Sequence, residues 1–140
     1  MSSIPLIKPY MTEAIKARVM DVLDSGYLTE GPVTHELERV FADYIGVRHA
    51  IAVTSCTIGL ELALRALKIG PGDEVIVPDY TYPATASAVA MVGALPVIVD
   101  VDPATQLISR DAVEDAITPR TKALMPVSIF GNPLDYSWLN

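Results

Sequence analysis

Between an apolar run and a helical run lies Thr54-Ser55-Cys56-Thr57-Ile58-Gly59-Leu60, a stretch rich in hydroxyls. A strand-to-helix turn of this composition presents unpaired backbone N–H groups and a positive dipole end to an anion. The dipole alone supplies about 0.3–2 kcal/mol, so gripping a phosphate requires several amides and hydroxyls converging on the same oxygens. Ser55 and Thr57 offer two such hydroxyls. The plainer reading is that one of them only caps a helix.

Downstream, Asp79-Tyr80-Thr81-Tyr82-Pro83 follows an apolar run and brings two aromatic rings suited to stacking on a flat heteroaromatic ligand. Tyr82 is the stacking candidate; its alternative is a loop tyrosine packed on its own sheet. Asp100 and Asp102 have the carboxylates of a hard-metal site, but at a strand exit such residues more often make Asx turns, and the turn is the reading adopted. Cys56 as a nucleophile would need a base or cation beside it, and nothing in the sequence brings His35 or His49 to it. Those histidines read as surface or packing residues. Dinucleotide, P-loop, zincin and nucleophile-elbow signatures are absent from the sequence.

The elements that must position these residues follow from periodicity. A helix is expected over Thr12 to Ser25, with Ile15, Val19, Val22 and Leu23 on one face and Gly26 as its stop. After the breaker-rich link Tyr27 to Pro32, a second helix carries Val33, Leu37, Val40, Phe41, Tyr44 and Ile45 up to Gly46. An alternating rhythm then begins, with apolar runs at His49 to Val53, Glu74 to Pro78, Leu95 to Val99 and Lys122 to Val127. Helices are expected between them over Thr57 to Lys68, Ala84 to Val92 and Arg110 to Ile117. The first of these has only one narrow polar face, Glu61, Arg65 and Lys68, and reads as mostly buried. Continuous runs such as Ala50 to Val53 and Pro96 to Val99 suit strands covered on both faces. The fold class is therefore α/β, three layers around a mostly parallel sheet. Ligands gather at the carboxyl ends of strands in such sheets, which is where Ser55 to Thr57, Asp79 to Tyr82, Asp100 and Ser128 should fall.

The 140 residues are about half apolar, enough for one ordinary domain core. Ten basic against seventeen acidic side chains give a net charge of −7 with no basic run, which argues against nucleic acid as a partner. The single cysteine allows no internal disulfide and fits a reducing cytoplasm. The stretch Met1 to Tyr10 lacks the layout of an export signal, and no apolar run has membrane-spanning length. Neither export nor a membrane partner is expected.

Taken in order, eight blocks resemble the DegT/StrS family of nucleotide-sugar aminotransferases. They are Gly31-Pro32, Thr54 to Thr57, Ile69 to Ile76, Thr81-Tyr82, Gly93 to Val97, Val99 to Asp102, Ala116 to Ala123 and Pro126-Val127. The resemblance implies pyridoxal 5'-phosphate as cofactor and the amino-terminal part of the large domain of a fold-type I transferase. It divides the chain into an amino-terminal helix and substrate-side link, 1–32, and a partial cofactor-binding domain, 33–140. Thr57 and Ile58, with Cys56 beside them, take the phosphate-turn positions, and Tyr82 takes the ring-stacking position. Tyr27, Thr29 and Gly31 fall in the stretch near the sugar. The implied partners are a nucleotide-sugar substrate, an amino-acid donor and, for the complete protein, a second copy forming a homodimer.

The chain departs from the family pattern in two places. Ser55-Cys56-Thr57 stands where Ser-Gly-Thr is commoner, and a cysteine tolerates a tight turn only at negative φ. The family's Schiff-base lysine has no counterpart among Lys8, Lys16, Lys68 and Lys122. The 140 residues are accordingly expected to be an incomplete chain, unable to transaminate alone. A sugar dehydratase of the same fold and a non-catalytic binding relative are the alternatives.

Overall fold

The computed structural model describes Pro5 and residues 7–139. The stretch Met1 to Tyr10 thus lies partly outside the described residues. The chain divides into two compact units, Met1–Ala52 and Val53–Asn140. The boundary expected at 32/33 falls inside the first of them.

In the first unit, α1 spans Glu13–Ser25 and α2 spans Pro32–Ile45. Thr12 caps α1 by accepting the Ile15 N–H at 3.2 Å, and Gly26 ends it in the left-handed region at φ 77°. Proline at the first turn starts α2, and Gly46 at φ 79° ends it. The apolar stripes of both helices face water: Val19, Leu23, Leu37 and Phe41 are all about half exposed.

The run His49 to Val53 is not a strand, contrary to expectation; it is irregular and mostly exposed. A strand persists only where a neighbour completes its ladder, and none of the described residues does so here. Instead the Ala52 N–H donates to the Glu38 carboxylate at 2.8 Å. That bond, with help from His35, holds the Glu38 carboxyl below the usual range.

In the second unit, α3 (Cys56–Ala66), β1 (Glu74–Pro78), α4 (Ala84–Met91), β2 (Leu95–Val99), α5 (Arg110–Ala116) and β3 (Thr121–Leu124) alternate. The sheet is parallel with strand order β2-β1-β3. Central β1 is buried along its whole length. Its side chains alternate between two cores, as the pleat requires. Val75 and Val77 meet Leu64 of α3 and Ala88 and Val89 of α4. Ile76 meets Val99, Leu107, Ile108, Leu134 and Val113 of α5. Helices on both faces of a parallel sheet make the expected three layers.

Two burial expectations need correction. Helix α3 is covered on one side only: Leu64 is its buried residue, while Leu62 and the following Leu67 are exposed. Strand β2 lies at a sheet edge, with Ile98 60% exposed, so Pro96 to Val99 is not covered on both faces.

At the amino edge of the sheet, Glu74 is only 3% exposed. The Arg120 guanidinium pairs with one carboxylate oxygen and the Thr118 hydroxyl donates to the other. A buried carboxylate is tolerated because both oxygens are engaged. The pairing lies beside the bulge where β3 slips register against β1, between Glu74↔Thr121 and Val75↔Ala123.

Candidate cofactor site

Where the carboxyl edge of the sheet lies relative to α3 follows from local geometry. A short turn through Ile69 and Gly70 carries α3 directly into the amino end of β1, and Leu60 and Leu64 pack with Val75 and Val77. Helix α3 packs along α4, and the Arg65 guanidinium donates to the Met91 carbonyl at 3.4 Å, so the carboxyl ends of the two helices lie side by side. The amino end of α3 therefore lies towards the amino end of α4, which begins two residues after Tyr82 beyond the exit of β1.

Ser55 is the N-cap of α3, and its hydroxyl accepts the Ile58 N–H at 3.3 Å. The capping reading thus holds for Ser55. It also claims the Ile58 amide, one of the two positions expected to face an anion. The Gly59 N–H enters the helix ladder on the Ser55 carbonyl. The Cys56 and Thr57 amides have no protein acceptor among the described residues, and the half-buried Thr57 hydroxyl has no protein partner there either. Cys56 does not have a positive φ, so cysteine replaces the commoner glycine without backbone strain, and its thiol is exposed.

The exits of β1 and β2 are tied together by the Asp79 N–H donating to the Val99 carbonyl at 2.9 Å. Tyr82 follows, 76% exposed, its carbonyl accepting the Thr85 N–H as α4 begins. The Thr81 and Thr85 hydroxyls bond at 2.9 Å and fix the loop against the first turn of α4. Phosphate-turn and stacking candidates thus share one edge of one compact unit.

Asp102 makes a turn: its Oδ1 accepts from the Ala104 N–H, the Thr105 N–H and the Thr105 hydroxyl at 2.8–3.0 Å. The Thr105 amide and hydroxyl bonds lead in lowering its pKa. An oxygen so engaged is shaping a loop. Asp100 stands exposed at the end of β2, its carbonyl accepting the Ser109 N–H.

The substrate-side candidates belong to the first unit. Tyr27, Thr29 and Gly31 line a single cavity of about 320 Å³ with Arg18, Asp21 and Val22. Gly31 is there for space: a Cβ on it would lie 2.7 Å from the Tyr27 Cβ. Its φ of −169° is open to any residue, so close approach alone demands glycine.

A residue that sequence reading passed over is Phe130, which pairs with Tyr80 at a centroid distance of 6.2 Å. The signal available for it was the Gly131-Asn132-Pro133 turn directly behind it.

A parallel sheet clad by helices, with an unclaimed helix start and aromatic rings along its carboxyl edge, is the large-domain architecture of fold-type I pyridoxal-phosphate-dependent transferases. More particularly, the profile of the DegT/DnrJ/EryC1/StrS aminotransferase family matches residues 9–140, and the chain belongs to that family. Similar solved structures include the putative sugar aminotransferase Spr1654 from Streptococcus pneumoniae in its PMP-form, 45% identical with a TM-score of 0.93. That match covers 99% of this chain and 35% of the other. DesV of S. venezuelae is 47% identical over 89% of this chain and 33% of its own, with a TM-score of 0.84. NtdA from Bacillus subtilis, with bound cofactor PMP, is 40% identical over 88% of this chain and 28% of its own, with a TM-score of 0.83. The chain spans about a third of the length of these relatives.

Proposed function

We propose that the complete protein carrying this chain is a pyridoxal-phosphate-dependent aminotransferase moving an amino group from an amino acid, glutamate, to a keto-sugar nucleotide. The observation that carries the reading is the start of α3. Among the described residues, two amides and the Thr57 hydroxyl lack protein partners there, at the edge where β1 delivers Tyr82. Family membership and the sugar aminotransferase among the similar structures support it.

The donor set fits the cofactor. The Cys56 and Thr57 N–H groups and the Thr57 hydroxyl would hold the phosphate, with the α3 dipole behind them. Ser55 contributes by capping, which fixes the direction of that first turn; the Ile58 amide is assigned to the cap. Tyr82 would cover the pyridine ring, and Thr81 through Thr85 holds the loop that presents it. Bound pyridoxal phosphate supplies an electron sink and a carrier for the amino group. Tyr27, Thr29 and Gly31 are assigned to the sugar side. Lys68 and Lys122 lie near Asp73 at the amino edge of the sheet, away from these groups. The family's Schiff-base lysine has no counterpart among the four lysines of this chain, and the reading assigns it to another part of the complete protein. A cytoplasmic homodimer belongs to the same reading.

The test is titration of the full-length apoprotein with pyridoxal phosphate, followed by assay of glutamate-dependent amine incorporation into a keto-sugar nucleotide. Cofactor binding with amine incorporation is expected. Loss of a hydroxyl without amine incorporation would point to a dehydratase, and failure to bind the cofactor would point to a non-catalytic relative.

A further inference from the structure

Among the described residues, three non-glycine positions have positive φ: Lys68, Gln106 and Phe130. Lys68 follows the end of α3 and Gln106 closes the Asp102 turn, ordinary places for the left-handed conformation. Phe130 is different. It holds φ 53° and ψ 22° with an aromatic side chain, and Gly131 follows at φ 80°. The surroundings hold it there: the Gly131 N–H donates to the Ser128 carbonyl, the Asn132 N–H to the Ile129 carbonyl, and the Asn132 side-chain amide to the Thr105 carbonyl at 3.0 Å. Glycine would take this conformation without strain, and such outliers gather at ligand sites.

Topology says which site. The chain leaves β1 for its neighbour β2 and then crosses to the opposite side of β1 to form β3. The reversal opens a crevice outside the carboxyl ends of β1 and β3, where ligands of open α/β sheets bind. Tyr80 leaves the end of β1 and Phe130 comes after β3, and their rings meet there at 6.2 Å and 59°. Two rings at that inclination form a notch. It stands on the same edge as Tyr82, two residues beyond Tyr80.

From this geometry we infer that Phe130, backed by Tyr80, is a specificity-determining wall against which the apolar face of the sugar ring rests. The inference rests on the proposed function, since it names the sugar that the same site would accept. The axial C–H bonds of a pyranose carry partial positive charge and lie well on the negative face of an aromatic ring. The hydrogen bonds that impose this backbone fix where the Phe130 ring leaves the chain before the substrate arrives, which removes part of the ordering cost of binding.

The experiment uses the full-length holoenzyme, with dTDP-4-keto-6-deoxyglucose as the keto-sugar probe. Phe130→Gly is expected to raise the KM for the probe about three- to tenfold, the worth of one aromatic contact. It should leave the melting temperature unchanged or higher, because glycine relieves the strain. Affinities for pyridoxal phosphate and for dTDP alone should stay as in the parent enzyme. Phe130→Leu, which keeps bulk but not the ring face, should show the raised KM, and Phe130→Tyr should restore it. A fall in melting temperature for Phe130→Gly would mean that the ring serves packing, and would overturn the inference. So would an unchanged KM, a restored KM in the leucine variant, or weakened dTDP binding, which would put the ring against the base. A parent enzyme that binds no pyridoxal phosphate would instead sink the functional reading itself.

Discussion

Replacing Thr57 with valine in the full-length protein separates cofactor binding from helix capping. The Thr57 hydroxyl is half-buried and has no protein partner among the described residues, and valine keeps the branched shape, so the fold loses little. A hydrogen bond to a charged group is worth about 1.5–3 kcal/mol, which weakens pyridoxal phosphate binding roughly 10- to 150-fold. Ser55→Ala is the counterpart. Its hydroxyl is engaged by the Ile58 N–H at 3.3 Å, so its loss removes a cap worth about 1 kcal/mol of stability. The assay is equilibrium titration of both apoproteins with the cofactor, alongside urea unfolding. Thr57→Val should bind weakly and unfold normally, whereas Ser55→Ala should unfold early. Unimpaired cofactor binding by Thr57→Val, or early unfolding of that variant, would refute the division of labour drawn at the start of α3.

Arg120→Ala leaves the buried Glu74 carboxylate with only the Thr118 hydroxyl, and should cost about 2–3 kcal/mol in urea unfolding, at the low end because Arg120 is itself largely exposed. Gly31→Ala drives a Cβ to within 2.7 Å of Tyr27 and should shift that ring, with a stability loss of about 1–3 kcal/mol and a raised KM for the sugar. Thermal melting and steady-state kinetics read both effects. Asp102 has its carboxyl held below the usual value by bonds from Thr105. A depressed folded-state pKa gives stability that is present above the ordinary carboxylate value and lost as pH falls through the folded one. Melting temperature should therefore drop on acidification below about pH 4, and the drop should shrink in Asp102→Asn.

Much of the second unit was legible because its local signals agree with its tertiary pattern. Ser109 caps α5, Gly93 turns the chain into β2, and the all-apolar Val75-Ile76-Val77 is buried on both faces. The readings that failed share one cause: apolarity states that a residue should be covered, not by what. Ile51, Leu62 and Ile98 have the composition of buried residues and are exposed, because no described neighbour lies over them. At the site, Ser55 as cap and Asp102 as turn follow from residue type and position. Whether the Ile58 amide was free depended on how Ser55 rotates, which spacing does not encode. Phe130 escaped notice because a left-handed φ is not written in the identity of a phenylalanine; only the geometry of the crossing reveals it.

Strand order has a consequence for synthesis. Glu74 takes Leu95 as its partner on one side and Thr121 on the other, so the middle of the three described strands waits for the third of them to be made. While a ribosome is still producing α5, a whole row of β1 amides and carbonyls stands open to any passing extended peptide. The nascent polypeptide is most vulnerable during that interval, and substitutions that delay docking of Thr121–Leu124 should show up first as lower soluble yield rather than as altered catalysis.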